Sequence, residues 1–99
     1  MLHIVNKSPL QTSTFESCLR MAQAGHAVLL IEDGIYAATT GGKTEPQVRA
    51  AASRLKFYAL KPDTEARGMT AKLIDGVTLV DYGGFVDLVA EHHTSHSWL

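Results

Sequence analysis

The chain has 99 residues and a single cysteine, Cys18, so it closes no disulfide within itself, and any thiol chemistry must involve a second molecule. Charge of one sign is not in excess. Nine lysines and arginines against ten aspartates and glutamates leave a formal charge of -1. The cations are scattered, so no footprint for nucleic acid or an anionic membrane is visible. No apolar run approaches the roughly 20 residues of a spanning helix, and the opening residues lack a basic leader followed by a long apolar stretch. The expected compartment is therefore the cytoplasm, where a thiol stays reduced. Three prolines and eight glycines are too dispersed to form a low-complexity linker, and no internal repeat is present.

A composition of 45% hydrophobic and 19% charged residues describes one small globular domain over residues 1–99. A domain of this size leaves much of its surface exposed, and burial against partners is an expected remedy. Short apolar runs alternate with segments of helical period. The expected fold is α/β: a mostly parallel, four- to five-stranded sheet with helices on both faces, read along the chain as βαβαβαβ.

The first strand, Leu2 to Asn6, stops at Lys7-Ser8-Pro9, since proline cannot continue the ladder. Ser13 and Glu16 have capping-box spacing, and Phe15, Cys18, Leu19 and Ala22 fall on one helical face before Gly25. The run Ala27-Val28-Leu29-Leu30-Ile31 suits a central strand covered on both sides. It turns at Glu32-Asp33-Gly34 into the apolar segment Ile35-Tyr36-Ala37-Ala38, whose exposed residues could help dock a neighbour. Pro46 opens a helix through about Arg54, ahead of a strand at Lys56–Leu60. Pro62 to Gly68 reads as a compact helix closed by glycine. The strand Val77–Val80 leads to Asp81, a candidate N-cap, and to a helix with Phe85, Leu88 and Val89 on one side. Right-handed crossovers place the strand-to-helix loops at the carboxyl edge, where such folds bind ligands.

Polar candidates have plain structural readings. Glu32 and Asp33 could be paired carboxylates for acid–base work, but a turn beside Gly34 accounts for them. Asp33, Asp63 and Asp81 lack the acidic pair after the first strand that a phosphoacceptor cluster needs. His92 and His96 have the i, i+4 spacing of a helical metal pair, yet without a convincing third ligand they read as a solvated tail. His3 and His26 give no pattern. Gly41-Gly42 and Gly83-Gly84 form no nucleotide fingerprint, so no cofactor and no metal is implied. Trp98 and Leu99 form an apolar pair that either docks on a neighbouring subunit or packs back on its own domain.

Several stretches together carry a family resemblance across nearly the whole chain. They are Leu2-His3-Ile4-Val5-Asn6-Lys7-Ser8-Pro9, Glu16-Ser17-Cys18-Leu19, Glu32-Asp33-Gly34-Ile35-Tyr36-Ala37-Ala38 and Tyr58-Ala59-Leu60 with Asp63 and Ala66-Arg67-Gly68. Val80-Asp81-Tyr82, Phe85-Val86-Asp87-Leu88 and the closing Trp98 complete the set. No one of these is diagnostic, but their order, spacing and total length resemble the DsrH/TusB family. The resemblance implies a DsrEFH-like fold and a subunit of a sulfur-relay heterohexamer, with DsrE/TusD-like and DsrF/TusC-like partners. Persulfide sulfur would pass to a DsrC/TusE-like acceptor, either in sulfur oxidation or in 2-thiolation of the tRNA wobble uridine. The family's principal sulfur-carrying cysteine lies on the DsrE/TusD subunit, in a loop at the carboxyl end of a strand, and this chain has no cysteine in such a loop. Its Glu16-Ser17-Cys18-Leu19 segment resembles DsrH of the sulfur-oxidation branch, whereas enteric TusB is less similar and lacks that thiol.

Cys18 is thus the one candidate catalytic residue. Only the thiolate attacks a persulfide efficiently, and a free cysteine of pKa about 8.5 is a few per cent ionised at neutral pH. If Ser13 caps the helix, Cys18 is already in the second turn, where the dipole has weakened, and Arg20 is not favourably placed on the same face. Two readings stay open: a sulfur-transfer residue, or core packing in a structural subunit whose transferase activity belongs to the complex.

Overall fold

The computed structural model describes residues 1–98. Strands β1 (Leu2–Val5), β2 (Ala27–Leu30), β3 (Lys56–Leu60), β4 (Val77–Val80) and β5 (Ser95–Trp98) form one sheet in the order β4-β3-β2-β1-β5. Every pairing is parallel. Four helices connect the strands: α1 (Thr14–Met21), α2 (Glu45–Ala51), α3 (Lys61–Ala66) and α4 (Tyr82–Glu91), with 3-10 segments at Glu32–Ala38 and Thr70–Lys72.

The central place of β2 follows from its composition. All four of its residues are buried, as a strand covered on both faces requires. The alternation of side chains sends Val28 and Leu30 to one face, with Val5, Phe57 and Ala59 beside them under α1, α2 and the Glu32–Ala38 segment. Leu2, Ala27 and Leu29 point to the other face and pack with Leu88 of α4. The first face therefore holds the larger core, and the second rests on a single long helix.

The fifth strand is a correction. The residues after α4 are a strand paired to β1 rather than a solvated tail, and Trp98 packs back on its own sheet. Three of the four side chains in β5 are exposed, so the segment shows no apolar alternation to betray it. Leu99, expected to act with Trp98, lies outside the described residues.

Helix α1 buries Phe15 and Cys18 and starts at Ser13, but the Ser13 side chain makes no capping bond, so the expected capping box does not form. Its other end is closed by Arg54, whose guanidinium donates to the carbonyls of Leu19 and Ala22. Ile35, Ala37 and Ala38 are wholly buried and are not available for docking, because the 3-10 winding turns them under the sheet's first face. Asp81 does cap α4, accepting from the Gly84 amide at 2.8 Å. In that helix Leu88 is buried, while Val89, expected on the same inward side, is 42% exposed.

Candidate functional site

The carboxyl ends of β1, β2 and β3 converge where the chain leaves the sheet. Ile31 donates its amide to the Val5 carbonyl at 3.0 Å, which draws the turn after β2 against the end of β1. Gly34 is required by that approach: a Cβ there would sit 2.2 Å from the Val5 carbonyl oxygen. Glu32 bends the backbone with a φ of +50°, a left-handed conformation that non-glycine residues rarely take. Its amide donates to Asp63 Oδ2 at 2.7 Å, so a carboxylate from the start of α3 secures the bend.

Asp33 is held by Arg67, whose Nε and a terminal nitrogen donate to Oδ1 at 3.1 and 3.0 Å. Arg67 also donates to the Asp63 carbonyl. The structure thus brings Glu32, Asp33 and Asp63 to one edge but employs them as turn fasteners, each tying one loop to the next. Asp33 is engaged by Arg67 and Glu32 lies within reach of Asn6, so the two carboxylates have separate partners. Asp81 lies at the head of α4, engaged as its cap. Asn6 reaches toward Glu32 Oε2 at 3.5 Å, and its own Oδ1 is buried without a partner. Sequence reasoning foresaw the turn but not its fasteners, because Asp33 and Arg67 are 34 positions apart and no local pattern joins them.

Cys18 is placed elsewhere. It lies in mid-α1, with no solvent exposure, among Val5, Phe15, Val28 and other apolar side chains. Burial alone pushes its thiol up from 9.0 to about 12. As packed, the sulfur is a neutral thiol at physiological pH with no approach for an attacking or accepting atom. A shallow groove of about 440 Å³ runs past α1, lined by Glu16, Leu19, Arg20, Ala22, Gln47 and Arg54, and Cys18 does not open into it.

The histidines also depart from expectation. His92 caps the end of α4 and His96 lies in β5, so the pair is not on one helix. His3 and His26, which show no pattern in sequence, are joined: His3 Nε2 lies 2.9 Å from His26 Nδ1, and the Trp98 indole donates to His3 Nδ1 at 3.1 Å. Among the described residues, no three histidine, cysteine, aspartate or glutamate side chains are grouped to hold a metal ion. No helix among them is long and apolar enough to cross a membrane.

These features define a small α/β protein with an all-parallel five-stranded sheet, its loops fastened at the carboxyl edge and its single thiol sealed inside. Similar folds are found in the ychN protein from E. coli, with a TM-score of 0.85, 19% identity and 97% of each chain covered. A protein of unknown function from Methanobacterium thermoautotrophicum has a TM-score of 0.76 at 18% identity, covering 97% of this chain and 95% of the other. Residues 7–95 match the family described as DsrH like protein. The protein TusB of Pectobacterium parmentieri is 41% identical over 98 residues, and that of Escherichia coli strain K12 is 37% identical, each covering 99% of this chain and 100% of the relative. The chain belongs to the DsrH/TusB family.

Proposed function

We propose that this chain is a structural subunit of a cytoplasmic sulfur-relay complex. It assembles with DsrE/TusD-like and DsrF/TusC-like subunits in a heterohexamer that hands persulfide sulfur to a DsrC/TusE-like acceptor. The observation that carries the structural role is the sealed position of Cys18: a thiol with no exposure, pushed up to about 12, is core packing rather than a sulfur carrier. A relay role for Cys18 requires α1 to lift from the sheet, against the burial of Phe15 beside it. The assembly role is supported by α4, where Tyr82, Val86 and Val89 leave an apolar stripe 62%, 66% and 42% exposed.

We place tRNA wobble-uridine thiolation ahead of sulfur oxidation. The resemblance to the oxidation branch lies in the Glu16-Ser17-Cys18-Leu19 segment with its thiol and in a lesser likeness to enteric TusB. Identity of 37–41% to TusB proteins over 98 residues answers the second point, and it supports the thiolation branch more than a short segment whose thiol makes no accessible site supports the other.

The test is mass spectrometry of the assembled complex after exposure to a persulfide donor. A reducible sulfur adduct is expected on a partner subunit and not on Cys18. A Cys18→Ala complex should pass sulfur to the acceptor as fast as the parent. An adduct on Cys18 that moves to the acceptor would overturn the structural reading. Unchanged 2-thiouridine in cells lacking the gene would overturn the thiolation branch.

A further inference from the structure

We propose that His3, His26 and Trp98 form a pH-sensitive latch in which His26 orients His3, and which holds β5 on the sheet while His3 is neutral and releases it when His3 takes a proton. The direction of every hydrogen bond in the cluster is fixed by groups that do not titrate. The Trp98 indole nitrogen can only donate, so His3 Nδ1, 3.1 Å away, must be an unprotonated acceptor. The proton of neutral His3 is then on Nε2, which donates to His26 Nδ1 at 2.9 Å. That same His26 nitrogen receives the Gln23 amide at 3.2 Å. Each Nδ1 therefore faces donors only. A proton added to His3 points at the indole N–H, and one added to His26 points at the Gln23 amide and the His3 ring N–H. Neither added proton has an acceptor in this arrangement, although His3 Nε2 keeps its bond to His26.

Among the described residues the surroundings offer no compensating charge. His3 is 3% exposed. The titratable groups whose fields reach the two rings are cationic or become so in acid: His96 from β5, His92 from the end of α4, and the α-amino group of Met1. Helix α1 lies over the same face and carries Cys18, neutral by burial, with Glu16 and with Arg20, which bonds to Ser17. Arg54 is committed to the carbonyls that end α1. Among the described residues, no carboxylate bonds to either imidazole. Burial, followed by these fields, holds both rings below the ordinary histidine value.

The cluster matters to β5 because that strand has little else. Its ladder with β1 is four residues long, and Trp98 is the one β5 side chain that is not exposed. Loss of the indole bond removes the side-chain hydrogen bond that Trp98 makes to β1, leaves the strand its ladder and the packing of Trp98, and so loosens the cover over the β1 edge.

Trp98 is the only tryptophan, so its emission reports the latch directly in the full-length chain. On acidification from about pH 8 to about pH 5, the emission should shift to the red with a midpoint below that of a free histidine. Amide protection of Ser95–Trp98 should fall by about tenfold or more while β2 and β3 stay protected. The double variant His3→Gln with His26→Asn keeps acceptors without titration and should abolish the shift. His96→Gln removes only the ring 4.7 Å from Trp98 and should preserve it. A shift that survives the double variant, vanishes in His96→Gln, or coincides with loss of protection in β2 and β3 would overturn the latch. Nitrogen-15 spectra of the unaltered protein give an independent check: protonated Nε2 and bare Nδ1 on His3 are expected near pH 8, and the opposite tautomer would overturn it as well.

Discussion

Beneath α1 the sheet is sealed by apolar side chains, whereas at the margin where β1 meets β5 it is sealed by two histidines and a tryptophan that bond to one another. Cys18 and His3 are both nearly excluded from water and serve the same face of the sheet. Burial acts on both by the same physics, penalising the charged form, but with opposite results for pH. The thiol is held neutral against base, and the imidazole is held neutral against acid. The comparison teaches that a buried titratable group is informative through its partners: Cys18 has only hydrocarbon around it, while His3 has a donor that tells which nitrogen is bare.

The largest blow to the apolar side of this comparison is Phe15→Ala, which should lower stability by about 3–5 kcal/mol and be read as a fall in the denaturant midpoint. Modification of Cys18 by a thiol reagent should accelerate in the same variant, because the lid over the sulfur has been thinned.

The pH limits of stability come next. Cys18 has its native pKa raised from 9.0 to about 12, so the native state holds the proton that the unfolded state gives up, and stability is lost as pH climbs from 9.0 toward 12. His3 and His26 have native values below 6.5, so the unfolded state takes up the protons, and stability is lost as pH falls from 6.5. Denaturant midpoints across the pH range should therefore decline on both sides. Cys18→Ala should flatten the alkaline side alone.

Cys18→Ser should be more damaging than Cys18→Ala through the unpaired hydroxyl it leaves inside, by about 1–3 kcal/mol in equilibrium unfolding. Equal stability of the two would mean that the site admits water and that the apolar seal is incomplete. Smallest is Asp33→Asn at the carboxyl edge. Its pair with Arg67 is partly open to solvent, and the change should cost about 0–1 kcal/mol.

Much of the fold is legible in the chain because it is written locally. The unbroken apolar run of β2, the glycine after α3 at Gly68 with its φ of +66°, and Asp81 at the head of α4 each act within a few residues. What could not be read is carried by distant partners. Ser13 has the right spacing for a capping box, but the chain supplies Arg54 at the opposite end of that helix and leaves Ser13 unused. Strand β5 is polar on three of four positions and gains its place from β1 and from His3, 95 positions away from Trp98. The stripe of Phe15 and Cys18 placed the thiol on the core side of α1, and the structure adds how completely that side is closed.

The neighbouring of β1 and β5 joins the first strand made to the last. Leu2 lies beside Ser95 and Val5 beside Trp98, the longest closure the sheet contains. The strands β1 to β4 can assemble in the order of their synthesis, each beside its predecessor, while the final segment must search back across nearly the whole chain for its seat. A nascent chain interrupted before β5 would thus hold a nearly complete sheet with β1 as a raw edge, open to pairing with whatever strand arrives before β5.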